Sequence, residues 1–296
     1  MTEQIPGRLE WTRAGEVALA YNAPWSGKPH FHPLTTPSGQ VLTADRPRDH
    51  IWHHGLCFGW TNISCPAKGL KEYAFWGEPG GGVIHTRDAS GKSAGPVLSE
   101  FRSESLCATQ DGEPVFDMVV RGRYQSIDLG WDWLDIELTL AARDAAVSLS
   151  SEYGHLKARL SMDFQDPTIL DSAGKSEKDN PYRQPSPVDW IGLSGQLAKG
   201  PAAMLLLNHP DNPGGQPSGD GSVSRRGEFF IDEGALFAWI SLNPMRVSPV
   251  ALEPGEPLTW RYRVVTTDRL LTPEFGAYHY TNWITPWEIA GVPASL

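Results

Sequence analysis

Short runs of alternating or uniformly apolar residues dominate this chain, and turn residues separate them. Branched and aromatic residues are concentrated in five such runs: 118–128, 131–153, 202–209, 235–242 and 258–268. Runs of this kind, bounded by Gly, Pro and Asp, are typical of β-strands. The 25 prolines and 30 glycines leave few windows in which a helical period could persist. The pattern therefore predicts an all-β protein.

Similar β runs lie on both sides of the two longest loop-like segments, Gly174–Trp190 and His209–Ser222. Neither segment therefore resembles a linker between domains. We expect residues 1–296 to form one domain, a large antiparallel β-sandwich in which two sheets pack face to face. Long loops in such a protein often carry functional residues.

Composition and charge disfavour several classes of partner. With 296 residues, 40% of them hydrophobic, the chain can bury a substantial core. Its net charge of −10 and pI near 5.4 disfavour nucleic acid and anionic membranes. The sequence has no apolar run of about 18 residues, and its start lacks the pattern of a signal peptide. We expect a soluble cytoplasmic protein, in which the three cysteines are free thiols.

Histidine is concentrated near the start of the chain. Five of the nine histidines lie between residues 28 and 55: His30, His32, His50, His53 and His54. His30 and His32 would face the same side of a strand, and His50 would share a face with His53 or His54 in a helical turn. Convergent neutral imidazoles can bind a metal ion or exchange protons near neutral pH. The same pattern also fits a polar core layer in which the imidazoles only bond backbone carbonyls.

Two sets of residues follow from this chemistry. The candidate acid–base residues are His50, His54, Asp49, His209 and Arg46. The candidate ligands of a divalent transition metal are His30, His32, His53 and His85. Asp49 could instead fix the tautomer of a neighbouring histidine or cap a turn. His209 could equally anchor the loop that it opens, and His85 could be an ordinary strand histidine.

The twelve tryptophans exceed what a core of this size needs. Indole rings stack on the apolar faces of sugars while nearby polar groups bond the hydroxyls. We therefore expect a small carbohydrate as ligand, with substrate-binding candidates Trp52, Trp76, Arg159 and Glu78. Arg159 could equally tie strand ends together, and Glu78 could belong to a solvated turn. The sequence has no GxSxG elbow, Walker loop or strand-linked GxGxxG, so serine hydrolysis, nucleotide binding and NAD chemistry have no support.

Several segments spread over most of the chain resemble the bacterial family labelled PmoA-like, after a methane oxygenase. They are Pro29–Thr43, Asp49–Ile63, Phe75–Glu78, Gly81–His85, Trp190–Gly195, Ala203–Pro213 and Leu252–Asp268. The chain departs from the family pattern at Ile51, where proline is common, and at Asn208, where aspartate is common. The family's name implies a membrane-embedded oxygenase, which the lack of a spanning segment disfavours. The resemblance implies a soluble β-sandwich associated with sugar catabolism.

A β-sandwich with internal histidine, arginine and carboxylate groups also resembles the sites of aldose epimerases, which implies a galactose-mutarotase-like supersandwich. The first hypothesis is an enzyme that acts on a sugar or keto-sugar derivative by proton transfer, with or without a metal, as a lyase, hydrolase or epimerase. The alternative is a non-catalytic carbohydrate-binding protein. A third hypothesis is a structural subunit of an assembly.

Overall fold

The computed structural model of the chain describes residues 7–77, 81–94, 98–126, 129–152, 155–174, 176–178, 186–214, 218–225, 236–246 and 248–285. These residues form the strands β1 (Arg8–Arg13), β2 (Glu16–Asn22), β3 (His30–Leu34), β4 (Leu56–Phe58), β5 (Trp60–Cys65), β6 (Leu70–Phe75), β7 (Val83–Ala94), β8 (Leu98–Ala108), β9 (Pro114–Ser126), β10 (Trp131–Ala142), β11 (Val147–Ser150), β12 (Leu156–Arg159), β13 (Gln165–Asp171), β14 (Ser176–Lys178), β15 (Ser186–Pro187), β16 (Trp190–Leu197), β17 (Gly200–Asn208), β18 (Ser218–Arg225), β19 (Leu236–Leu242), β20 (Val250–Leu252) and β21 (Leu258–Thr267). They also form one turn of 3-10 helix (Pro66–Lys68) and the helix α1 (Pro273–Ile284).

The strands pair antiparallel into three sheets. An eight-stranded sheet has the order β1-β2-β3-β4-β12-β19-β18-β15, and a nine-stranded sheet has the order β14-β13-β16-β17-β21-β10-β9-β8-β7. A smaller sheet has the order β20-β11-β5-β6. Strands far outnumber helices among the described residues, so the predicted large antiparallel β-sandwich is confirmed.

One apolar core lies between the sheets. Buried side chains of the eight-stranded sheet, such as Phe31, pack in the same cluster as Ile136 of the nine-stranded sheet and Leu149 of the small sheet. Strand β10 illustrates the cause, because its sequence alternates and its burial alternates with it. Burying each large apolar side chain stabilises the fold by roughly 1.5–3 kcal/mol relative to leaving it exposed.

The eight-stranded sheet has one apolar face and one polar face at its centre. Directly paired residues form rows across the strands, and adjacent rows face opposite sides. One row faces the core and consists of Tyr21, Phe31, Leu56, Ala158 and Ile240. The next row faces the other side and consists of Asn22, His30, Cys57, Lys157 and Ser241. The strand alternation thus places a basic and imidazole-bearing row away from the core.

Helix α1 packs on the nine-stranded sheet, where Phe275 and Trp283 contact a small apolar cluster that includes Leu205. It begins at Thr272, whose hydroxyl accepts a hydrogen bond from the Phe275 N–H at 3.2 Å, with Pro273 as its first residue. Both residue types are typical of a helix start. Within the described part of the chain, no helix has the length and apolar character required to cross a bilayer.

Candidate active site on the eight-stranded sheet

A loop rich in histidine covers the polar face of the eight-stranded sheet; we call residues 44–55 the histidine loop. Both ends are bonded to one residue of β12, because the Ala44 N–H donates to the Arg159 carbonyl (3.0 Å) and the Arg159 N–H donates to the Gly55 carbonyl (2.8 Å). Gly55 has a φ of +33°, and a Cβ there would lie 2.1 Å from the Phe31 carbonyl oxygen. The loop therefore ends at a position where only glycine fits.

Two imidazoles and a carboxylate meet at one side of the loop; we call His30, Asp45 and His54 the His–Asp group. His54 Nδ1 lies 2.7 Å from Asp45 Oδ1, and His30 Nε2 lies 3.6 Å from the same oxygen. The other nitrogen of His30, Nδ1, donates to the Lys28 carbonyl at 2.9 Å. Burial lowers the pKa of His30 to about 4, so this imidazole is neutral at physiological pH.

His32 lies beside the His–Asp group but has its own partner. Its Nδ1 is 2.9 Å from the Thr43 hydroxyl, which also accepts a bond from the Leu34 N–H at 3.2 Å. A hydroxyl can accept one hydrogen bond and donate another, so the Thr43 proton is available for His32 Nδ1. Burial lowers the pKa of His32 as well.

A second group connects β12 to the loop through a shared carboxylate oxygen. Asp49 Oδ2 accepts from Arg159 Nη2 at 2.6 Å and from His50 Nδ1 at 2.9 Å. Burial alone would raise the pKa of Asp49, but the bond from His50 and the Arg159 charge outweigh it and lower that pKa. The Asp49 carboxylate is therefore ionised and fixes the tautomer of His50, which leaves His50 Nε2 as the proton-exchanging atom.

His53 stacks on His50 with a centroid distance of 4.6 Å and an interplanar angle of 9°. Its Nε2 accepts from Lys157 Nζ at 3.0 Å, and the ammonium lies between two indoles, 4.6 Å from Trp76 and 4.8 Å from Trp239. Burial and then the nearby Lys157 charge lower the pKa of His53 far below its ordinary value. His53 is therefore a permanently neutral imidazole whose Nδ1 carries the proton.

Several buried polar atoms of this second group have no partner among the described residues. They are Asp49 Oδ1, His53 Nδ1, and Arg159 Nε and Nη1. Arg159 is 1% exposed and stacks on the Phe237 ring at 4.2 Å. An unpartnered buried donor costs about 1–3 kcal/mol, and in native proteins such groups are explained by a bound water or ion, by strain or by a catalytic role. The arrangement can therefore bind an oxygen-rich molecule and exchange a proton with it.

The other predicted residues lie elsewhere or at the edge of this site. Arg46 is exposed, and Trp52 packs edge-on against His50 at 5.3 Å. His85 is on β7 and has no contact with the histidines among the described residues. His209 packs against Trp283 at 5.3 Å on the nine-stranded sheet, where burial lowers its pKa. Glu78 lies outside the described residues.

Sequence reasoning missed Asp45 and Lys157. Asp45 is separated from His30 and His54 in the chain, and only its bridge to His54 brings it into the site. A signal for Lys157 existed, because Leu156–Arg159 alternates apolar and cationic residues, a pattern in which both cations face the same side of a strand.

A separate cleft of about 640 Å³ lies over β7 to β10 and β21. Its charged groups largely pair with one another or with neighbouring residues: Arg123 lies 2.9 Å from Glu100, and Asp135 accepts from Arg263 at 2.6 Å. No histidine is among its described lining residues. The cleft therefore lacks a side chain that ordinarily titrates near neutral pH, and the histidine loop is the better candidate for acid–base chemistry.

Comparison with known proteins adds a family but not an activity. The profile of DUF6807, a family of unknown function, matches residues 8–280. No curated protein matches the sequence significantly.

Solved structures that are similar include a GalM/aldose epimerase homologue from C. elegans, with 13% identity, 90% coverage of this chain, 99% of that chain and a TM-score of 0.43. A galactose mutarotase-like protein from Lactobacillus casei has 9% identity and a TM-score of 0.48, and the match covers 88% of this chain and 100% of that chain. A galactose 1-epimerase from Lactobacillus acidophilus has 9% identity and a TM-score of 0.40, and the match covers 89% of this chain and 99% of that chain. At such identities and TM-scores, these similarities say nothing about activity.

The resemblance to the PmoA-like family is wrong, because the matching profile is that of DUF6807. The segments that suggested it are short and rich in histidine, glycine and proline. Such motifs recur wherever imidazoles converge or a turn is needed, so they do not identify a family.

Proposed function

The chain belongs to the DUF6807 family, whose function is unknown, and we propose from its own residues that it is an enzyme acting on a sugar or keto-sugar derivative by proton transfer. One observation carries the proposal. The Asp49 carboxylate oxygen is shared by Arg159 and His50, which gives His50 a fixed tautomer and an ionised carboxylate behind it. A histidine whose tautomer is fixed by a carboxylate in this way can act as a general acid or base.

His50 acts on the substrate through Nε2. Its side chain is 33% exposed, whereas the Asp49 and Arg159 side chains behind it are 7% and 1% exposed. The imidazole can accept a proton from a carbon next to a carbonyl, or from a hydroxyl, and can return it to the same face, or to the opposite face after the intermediate has rotated. The imidazolium that forms is stabilised by Asp49, as an orienting carboxylate does in other acid–base sites.

Positive charge next to His50 stabilises the oxyanion that such a proton removal creates. The Arg159 guanidinium lies behind Asp49 and the Lys157 ammonium is bonded to His53, so both charges act through the protein interior and not by direct contact with the substrate. Preorganised charges of this kind stabilise a developing negative charge.

A carbohydrate fits the lining of the site. Trp52, which is half-buried, offers aromatic surface beside His50, whereas Trp76 is 4% exposed and is covered by Lys28 and Lys157. Aromatic and polar groups in alternation are common in sugar sites, because a sugar ring has an apolar face and a polar rim.

Proton exchange with solvent tests the proposal without knowledge of the product. The protein is incubated in D₂O with a panel of aldoses, ketoses and keto-sugar derivatives, and deuterium incorporation or new signals are followed by NMR. We expect incorporation with at least one sugar, and a loss of about 10²–10⁴ in rate for His50→Gln, the range for acid–base groups. His279→Gln on helix α1 is the matched control and should keep the rate.

Two results would contradict the proposal. One is binding of a sugar without exchange or product, which favours the carbohydrate-binding protein. The other is an equal rate in His50→Gln and the wild type, which would remove His50 from the chemistry.

A further inference from the structure

We propose that the His–Asp group binds one divalent transition metal ion through His30, Asp45 and His54. The proposal is separate from the acid–base role of His50 and does not depend on it. It replaces the predicted ligand set His30, His32, His53 and His85, of which only His30 is kept.

The ligand atoms of the three residues already lie close together. One ligand atom from each lies within 4.8 Å of the others, and His30 Nε2 and His54 Nδ1 both face Asp45 Oδ1. Metal–ligand bonds of about 2.0–2.2 Å place the ligand atoms of a tetrahedral site roughly 3–4 Å apart. Small side-chain rotations are therefore sufficient; the metal takes the place of the proton between His54 Nδ1 and Asp45, and that proton moves to His54 Nε2.

His30 is prepared for this role by its backbone partner. Because His30 Nδ1 donates to the Lys28 carbonyl, the lone pair of Nε2 points toward Asp45. Histidines that bind metals usually donate their second nitrogen to a carbonyl or carboxylate in this way.

The charges around Asp45 also favour a bound cation. Among the described residues, Asp45 is paired with the histidines His30 and His54, and no lysine or arginine is paired with it. The neighbouring carboxylate of Asp49, in contrast, is neutralised by Arg159, and His53 is bonded to Lys157. A partly buried carboxylate that faces imidazoles and no permanent cation is suited to a divalent cation.

The group is also accessible. The side chains of His30, His54 and Asp45 are 11%, 19% and 27% exposed, so water or a substrate oxygen can complete the coordination. Two imidazoles and one carboxylate with open positions are a common catalytic arrangement for zinc and for non-haem iron. A metal here can polarise a carbonyl or hydroxyl of a bound ligand.

Metal titration of the full chain tests the site directly. The protein is treated with a chelator and dialysed, and Co²⁺ is then added while its visible ligand-field absorption is recorded; Zn²⁺ affinity follows from competition. We expect one equivalent to bind with the spectrum of a low-coordinate nitrogen and oxygen site. Asp45→Asn and His54→Ala should each weaken binding at least about 100-fold, since even the loss of a residue that only orients a metal ligand costs about 10–100-fold.

Control variants separate this set of ligands from the others. His32→Ala and His279→Ala should bind the metal as the wild type does, and circular dichroism should show that every variant is folded. Should His54→Ala fail to fold, Asp45→Asn, which preserves shape, decides the question alone. The proposal is overturned if no stoichiometric binding occurs, if Asp45→Asn binds normally, or if His32→Ala loses as much affinity as Asp45→Asn. Metal affinity is measured without any substrate. The metal site can therefore be confirmed or refuted whether or not the proposed enzyme activity is found.

Discussion

At the scale of single residues, the site depends on charges that the fold has removed from water. The side chains of Arg159 and Asp49 are almost completely buried, and among the described residues each is paired with no other permanent charge of opposite sign. Taking two charges out of water is costly, and their attraction offsets that cost only while both are present.

Removal of one partner should therefore be far more costly than removal of an exposed charge. Arg159→Met leaves the Asp49 carboxylate buried without its cation, and we expect the free energy of unfolding to fall by about 3–5 kcal/mol. Urea denaturation measures this. Arg8→Met is the matched control, since the Arg8–Glu10 pair is exposed and should contribute at most about 1 kcal/mol. Equal losses in the two variants would contradict the buried ion pair.

Neutral buried histidines should make the protein sensitive to acid. His155 is fully buried, its Nδ1 accepts from the Trp60 indole at 2.9 Å, and burial lowers its pKa from 6.5 to about 3. Between these values the unfolded chain binds a proton that the folded chain does not, so this stability is complete above pH 6.5 and is lost as the pH falls.

The expected slope is about 1.4 kcal/mol per pH unit for this one residue. His155→Gln should show a correspondingly shallower loss of unfolding free energy between pH 6 and about pH 4, measured by urea denaturation at several pH values. An identical pH dependence in the variant and the wild type would show that His155 is protonated inside the folded protein.

At the scale of elements, the site depends on how one loop joins two strands. Gly55 ends the histidine loop and leads into β4 with its Cα against the backbone of β3. Because any larger residue would collide with the Phe31 carbonyl, we expect Gly55→Ala to destabilise the fold by several kcal/mol or to displace the loop.

Gly15→Ala provides the comparison. Gly15 also has a positive φ, of +88°, but a Cβ there meets no atom within 4 Å. Gly15→Ala should therefore lower the free energy of unfolding only by the conformational penalty of about 1–2 kcal/mol. Thermal melting of both variants measures the difference, and equal melting temperatures would show that the contact of Gly55 with β3 is not needed.

Strands could be predicted from the sequence where alternation is long, as in β10 and β21. The helix α1 was not predicted, because its residues are mostly aromatic and polar without a clear apolar stripe, although Thr272 and Pro273 are a helix-start signal. The segments expected to be long loops contain β14, β15 and the start of β18. These strands are short or rich in glycine and serine, so periodicity cannot reveal them.

At the scale of the whole molecule, the core residues and the candidate site residues lie on opposite faces of the eight-stranded sheet. The eight-stranded sheet turns its apolar rows to a core shared by all three sheets and carries the imidazole and basic row on its other face. We infer from this shared core that the chain forms a single domain. The cluster of histidines could be predicted from its density, but the pairing of Asp49 with Arg159 joins residues 110 positions apart and depends on the order of the strands.

We propose that this face is a working site and not a satisfied polar layer, and a double variant distinguishes the two. His50 and His54 have side chains that are 33% and 19% exposed, so replacing both by alanine removes little apolar burial. We predict that His50→Ala/His54→Ala melts within a few degrees of the wild type, while deuterium incorporation into the sugar falls by about a hundredfold or more. A melting temperature far below that of the wild type would contradict the claim, because it would mean that these imidazoles hold the fold together through buried partners.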